Sequence, residues 1–264
     1  MVERLAEMGF GAIALRPRRG GWDHGSEWFE QYSAMVVSAL KKFDFRLIID
    51  LDSRFYDSPD QVEPLSLSSS DASERKSASE SVRAWIDRVT EMRPQVISLS
   101  AGRFDGAVNS TSEEESVLER LAETIGPLSK LACEREIRLA LRPVSGHAIE
   151  TVAHFERFEH WLGTEAKLWL AADVGEMLLA GEFPIGARLA RLQHRLACVY
   201  LCEPDLERGC DQRFGYGDID LSRVWEVMTE SGYRGPAIFR ACGHDHLGFE
   251  IAHEAISLTN ASER

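Results

Sequence analysis

Nowhere does the chain approach the roughly 18 consecutive apolar residues that a bilayer-spanning helix needs, so no membrane segment is expected. The opening Met1-Val2-Glu3-Arg4-Leu5 has neither the basic cap nor the apolar run of a secretory signal, which makes the cytoplasm the default address. Cysteine is sparse: the 5 residues Cys133, Cys198, Cys202, Cys210 and Cys242 are odd in number and show no C-x-x-C spacing. That excludes a disulfide framework and fits free thiols in a reducing compartment. Positive charge is also in deficit, with 30 Lys and Arg against 43 Asp and Glu and a formal net charge of −13. Such a surface repels phosphate backbones, so nucleic acid is not an expected partner.

What the 264 residues do contain is enough apolar matter, 44%, for a real core, and a repeated pairing of short β-rich runs with amphipathic segments. Strands are expected at 11–15, 45–51 (running on to Asp50 and Asp52), 96–99, 138–141, 167–172, 197–201 and 236–239. Between them fall helical patterns, among them Trp28, Tyr32, Met35, Val36 and Leu40 on one 3.6-period face, and Val152, Phe155, Phe158 and Leu162 on another. Another groups Ile185, Leu189, Leu192 and Leu196. Ser77 with Glu80 and Ser112 with Glu115 have capping-box spacing, and Pro127 is expected to kink or split the helix it falls in. Residues 53–80, rich in serine, read as a flexible solvated loop. Trp85, Trp161 and Trp225 are expected on buried helix faces, and His154, His160 and His194 on outer helices. The alternation predicts one α/β domain over 1–264, a TIM (β/α) barrel with seven strands recognised and the first missing from the N-terminus. An open barrel would leave unpaired strand edges, which keeps homo-oligomerisation open.

The last third adds motifs at the strand ends. Gly215-Tyr216-Gly217-Asp218-Ile219-Asp220 is followed by a helix and then by Gly232-Tyr233-Arg234-Gly235, with Asp220 placed to cap that helix and Gly232 to end it. Leu170 to Glu176 reads L-A-A-D-V-G-E, Val199 to Glu203 reads V-Y-L-C-E, and Leu139 to Pro143 reads L-A-L-R-P. In order and spacing these segments resemble the xylose-isomerase-like sugar phosphate isomerases and epimerases. Those carry G-x-G-x-I-D…G-Y-x-G, L-x-x-D-x-x-H, V-H-L-K-D and L-A-L-E-P.

The resemblance implies a divalent metal (Mn, Mg, Zn or Co) held by a Glu, an Asp, a His and a second Glu, the glutamates moving the proton. Position by position, this chain has Arg142 for the first Glu, Asp173 for the Asp, Tyr200 for the His and Arg240 for the second Glu. Glu176 replaces the His of D-x-x-H. A guanidinium has no lone pair for a metal and no basicity near neutral pH. No cofactor is therefore expected unless the family site has been rebuilt, and the family reaction should not run by its usual route.

Three readings follow. In the first, Arg142 and Arg240 pair with Asp173, Glu176 and Glu203, and the protein is a non-catalytic relative. In the second, the two arginines clamp a carboxylate or phosphate of a sugar-like metabolite, with Asp173 and Tyr200 on its hydroxyls. In the third, Cys202, Cys210, Cys242, His244 and His246 make a new metal site. Asp50 and Asp52 at a strand end, and Asp23 and His24 in the loop after Leu15, are further candidates to meet a ligand, with nothing in the sequence to separate that from loop chemistry. The apurinic endonucleases share the barrel, but their His-rich metal site and basic groove have no counterpart in this sequence.

Overall fold

The structure is a computed structural model that describes residues 2–16, 27–52, 65–103, 111–163, 166–204, 213–241 and 247–260. In chain order the elements are α1 (Val2–Glu7), β1 (Ala12–Leu15), α2 (Glu27–Phe43), β2 (Arg46–Asp52), α3 (Ala72–Val89), β3 (Val96–Leu99), α4 (Thr111–Glu134), β4 (Arg138–Leu141) and α5 (Val152–Phe158). There follow β5 (Trp169–Asp173), α6 (Val174–Leu179), α7 (Ile185–Arg191), β6 (Leu196–Leu201), α8 (Leu221–Glu230), β7 (Ala237–Phe239) and α9 (Gly248–Asn260). The chain divides into two compact units, 12–169 and 1–11 with 170–264.

In the unit 12–169, β1 to β4 pair side by side and in parallel, with Leu15 beside Ile49, Ile49 beside Ile97 and Ile97 beside Leu139. Strands covered on both faces read as unbroken apolar runs, and Val96, Ile97 and Leu99 are fully buried. Register slips between Asp50 and Asp52, where the bulge puts Asp52 at φ +56°, a left-handed conformation unusual for a residue with a side chain.

Residues 53–64 of the expected serine-rich loop lie outside the described residues; from 65 to 80 the chain departs from that expectation. Ser66, Ser68 and Ser69 are buried, Leu67 hydrogen-bonds the carbonyl of Ala101, and α3 has begun by Ala72. Its cap is Asp71, which accepts from Ser73 N at 2.7 Å, so the Ser77–Glu80 spacing falls inside the helix. Ser112 likewise lies inside α4, and α4 runs on through Pro127 rather than splitting there. Met35 is 61% exposed, so the apolar face of α2 is narrower than its periodicity suggested. Val152, Phe155 and Phe158 are buried as expected, but α5 ends before Leu162, and Trp161 just past it is exposed.

In the other unit, β5, β6 and β7 pair in parallel, with Asp173 beside Tyr200 and Tyr200 beside Ile238. The helix expected between β5 and β6 is two short ones, α6 and α7, and Leu196 belongs to β6. Asp220 caps α8, accepting from Arg223 N at 2.9 Å, and Gly232 at φ +99° ends it, as the motif required. Phe10 meets Phe239 edge to face with centroids 6.3 Å apart.

Candidate functional site

Each unit gathers its polar side chains where its strands end, and each cluster centres on an arginine. In 12–169 that arginine is Arg142, immediately beyond β4, whose backbone N–H extends the ladder to Leu99 O. Its side chain is 3% exposed, donates to Asp52 through Nη2, and lies 3.6 Å from Asp50 through Nη1. Arg16, one residue past β1, closes the set: it donates to Asp50 at 2.5 Å and lies 3.7 Å from Asp52. Burial by itself would lower the Arg16 pKa; the two carboxylates outweigh it and hold the pKa above its ordinary value. Ser98 adds a long 3.4 Å bond to Asp50. Two guanidiniums and two carboxylates thus alternate around a small quartet.

Next to the quartet lies His147, in the loop between β4 and α5. It is buried, and desolvation, with Arg142 and Arg103 adding to it against the opposing pull of Asp52, lowers its pKa to about 4. The imidazole is therefore neutral at physiological pH. Sequence reasoning weighed six other histidines, His24, His154, His160, His194, His244 and His246, and missed this one. The available signal was its place five residues after a strand-end arginine, in a loop at the end of the sheet where such folds put their chemistry.

In the second cluster Asp173 ends β5 with its side chain wholly buried. Oδ1 accepts from Gly175 N at 3.1 Å and Glu176 N at 3.3 Å, capping α6, and from the Cys202 thiol at 3.1 Å. Oδ2 accepts from Arg240 Nη1 at 2.7 Å, and Arg240 Nη2 reaches Cys202 Sγ at 3.2 Å. Gly175 is required here: a Cβ at that position would sit 2.6 Å from Cys202 Sγ. Tyr200 is buried in β6 beside Asp173 in register.

Glu203, 1% exposed, has a different task from the ion pair expected of it. Its carboxylate accepts from Gly215 N at 2.8 Å and from Gly217 N, fastening the G-x-G loop to the end of β6. A Cβ at Gly217 would come within 2.7 Å of Glu203, which explains the second glycine better than loop tightness does. Beside this anchor is an open cavity of about 340 Å³, lined among others by Glu203, Asp218, Asp220 and Ser222.

The expected ion pairing is therefore met by Arg240 with Asp173, while Arg142 has its partners within its own unit in Asp50 and Asp52, and Glu203 holds a loop. Of the alternative metal set only Cys202 is described; Cys210, Cys242, His244 and His246 lie outside the described residues, as do Asp23 and His24. Among the described residues no group of three or more His, Cys, Asp or Glu side chains is arranged to hold a metal. The family's metal does not fit these donors: Arg142 and Arg240 offer it no lone pair, and the one surviving acid, Asp173, has both oxygens engaged.

Parallel strands alternating with helices, with the ionisable residues at the strands' carboxyl ends, define a protein of the TIM-barrel class. The profile of the xylose isomerase-like TIM barrel family matches residues 2–260, and the chain belongs to that family. Solved structures agree on the fold. D-Psicose 3-epimerase from Clostridium cellulolyticum H10, solved with D-tagatose, superposes with a TM-score of 0.73 at 15% identity, covering 99% of this chain and 91% of that one. 3-Keto-D-glucoside 4-epimerase from E. coli gives 0.70 at 14% identity, over 98% of this chain and 92% of that one. A xylose isomerase-like TIM barrel protein from Mycobacterium smegmatis, in complex with magnesium, gives 0.64 at 15%, over 99% and 87%. The comparison with curated proteins gives no match.

Proposed function

We propose that this chain is a divergent sugar isomerase/epimerase-like barrel that does not carry out the family's metal-dependent isomerisation, and that it acts by binding a sugar-like small molecule. The observation that carries this reading is Asp173. It stands at the position where the resemblance puts a metal-binding acid, yet Oδ1 accepts from Gly175, Glu176 and Cys202 and Oδ2 from Arg240, so a cation there would have to displace a guanidinium. Arg142 and Arg240 stand where two glutamates would hold the metal and move the proton; guanidiniums do neither.

The alternative, a metal-independent enzyme or binding protein in which Arg142 and Arg240 clamp an anionic sugar-like metabolite, is the weaker reading. Each of these guanidiniums already has a carboxylate partner, and breaking a buried pair costs about 3–5 kcal/mol, which an incoming anion would have to offset. Cytoplasmic residence fits the free thiols Cys133, Cys198 and Cys202, and no helix among the described residues is long and apolar enough to cross a membrane. The charge of −13 disfavours nucleic acid, and a homo-oligomer is compatible with the fold.

The test is exchange of the substrate's α-proton. The purified protein is incubated in D₂O with D-fructose or D-tagatose and Mn²⁺, Mg²⁺ or Co²⁺, and C3 deuteration is followed by NMR. The expected result is no exchange above the protein-free blank with any of the metals. Metal-dependent deuterium incorporation, abolished by a chelator, would overturn the reading.

A further inference from the structure

His147 is 9% exposed, and its Nδ1 is sealed from solvent with no hydrogen-bond partner among the described residues. A buried polar nitrogen left unsatisfied costs about 1–3 kcal/mol, so the site has room for a partner that no described residue supplies. The loop that carries it is well defined: His147 N–H donates to Val144 O at 3.1 Å, and Gly146 turns at φ +75°. His147 also forms an isolated antiparallel bridge with Arg103, just past β3. Residues directly opposed in such a bridge send their side chains to the same side, with Cβ atoms about 4.5–5.5 Å apart. Arg103 is exposed and has no carboxylate within salt-bridge reach among the described residues.

A second unsatisfied group borders Asp52, to whose carbonyl the Ser100 N–H donates at 3.0 Å. Ser100 Oγ is buried without a partner. Side chains alternate along a strand, and Ser98 reaches Asp50, so Ser100, two residues on, faces the side of the sheet that carries the quartet. The charges of the region set the ligand's sign. Among the described residues, Arg16, Arg103 and Arg142 stand against Asp50 and Asp52, and Arg103 is the cation with no carboxylate in salt-bridge reach. A single negative charge balances it; a phosphate dianion would overshoot and be repelled by Asp52, whose side chain is 22% exposed.

We propose that Arg103, His147 and Ser100 form a binding subsite for the carboxylate end of a small polyhydroxylated monoanion, with Asp52 accepting from one of its hydroxyls. A neutral imidazole donates its N–H to the carboxylate and Arg103 supplies the charge-assisted bond. This deepens the proposed function by giving its ligand a chemical class, and rests on that reading only in placing a sugar-like ligand at the strand ends.

The experiment is calorimetric titration of the full chain, at neutral pH and low salt, with D-gluconate, D-glucitol and inorganic phosphate. The first two are the same polyol chain ending in a carboxylate or a hydroxymethyl group. Saturable gluconate binding is expected, with glucitol and phosphate each weaker by about tenfold or more, the equivalent of one charge-assisted bond. Arg103→Ala and His147→Ala should each weaken gluconate by a similar factor, His147→Asn should recover part of it, and His160→Ala on the exposed surface should change nothing. Should His147→Ala not fold, ¹⁵N-histidine spectra of the unaltered protein give the same reading: gluconate, and not glucitol, shifts the His147 resonance. Absence of saturable gluconate binding, equal affinity for glucitol, tighter phosphate, or indifference to Arg103→Ala would each overturn the proposal. Metal-driven α-proton exchange would overturn the proposed function and leave these titrations standing.

Discussion

A carboxylate oxygen accepts two or three hydrogen bonds, and a buried imidazole seeks at least one. Asp173 has both oxygens engaged, holding a helix start, a thiol and a guanidinium at once, whereas His147 Nδ1 has no partner among the described residues. The deficit has a thermodynamic signature. His147 titrates near 6.5 in the unfolded chain and near about 4 when folded, chiefly because burial disfavours its charged form, with Arg142 and Arg103 reinforcing that and Asp52 opposing it. Between those values the unfolded state binds a proton that the folded state does not. Stability therefore rises with pH across the window, and acidification from above 6.5 to below about 4 removes on the order of 3 kcal/mol. Carboxylates titrate in the same range, so the informative quantity is a difference. Urea midpoints at pH 7 and pH 4.5 should fall further in the unaltered protein than in His147→Asn. Parallel losses would show that the imidazole is not held neutral by the fold.

The elements follow from the sequence to very different degrees, and the reasons are physical. β3 and β4 coincide with their expected bounds because strands buried on both faces are mostly apolar, Val96, Ile97 and Leu99 in one and Leu139, Ala140 and Leu141 in the other, and stop at the polar Ser100 and Arg142. The serine stretch reads as solvated because serine is polar, yet Ser66, Ser68 and Ser69 are buried: Ser66 donates to Arg103 O at 2.9 Å and contacts Ser68 Oγ at 3.1 Å. Such pairing depends on chain segments distant in sequence and leaves no periodic trace. The same limit applies to the site. The departures at Arg142, Tyr200 and Arg240 from the motifs the chain resembles, and the retained Asp173, were readable one position at a time, but the partners Asp50 and Asp52, and the role of Cys202, belong to the fold. The start of α6 makes this testable. Gly175→Ala would drive a methyl group against Cys202 Sγ, 2.6 Å away, and should cost about 1–3 kcal/mol by overpacking. Cys202→Ala removes the obstacle, so its cost in the Gly175→Ala background should be smaller than in the unaltered protein by about 1 kcal/mol or more. Additive losses across this double-mutant cycle would mean that the thiol does not confine the helix start.

Across the molecule as a whole, membership of the family fixes the strand–helix repeat and the end of the sheet at which chemistry sits; the residues there decide what chemistry is open. On the proposed reading, this chain keeps the aspartate of the metal set it resembles and carries guanidiniums where the set has carboxylates. With a net charge of −13 it will attract divalent cations loosely to its surface, so solution binding alone is a blunt discriminator. The most direct measurement is an anomalous difference map from crystals grown with Mn²⁺. The expected result is no peak within coordination distance of the Asp173 carboxylate, with the Arg240 guanidinium still seated on it. A Mn²⁺ peak on Asp173, with Arg240 swung away, would contradict it.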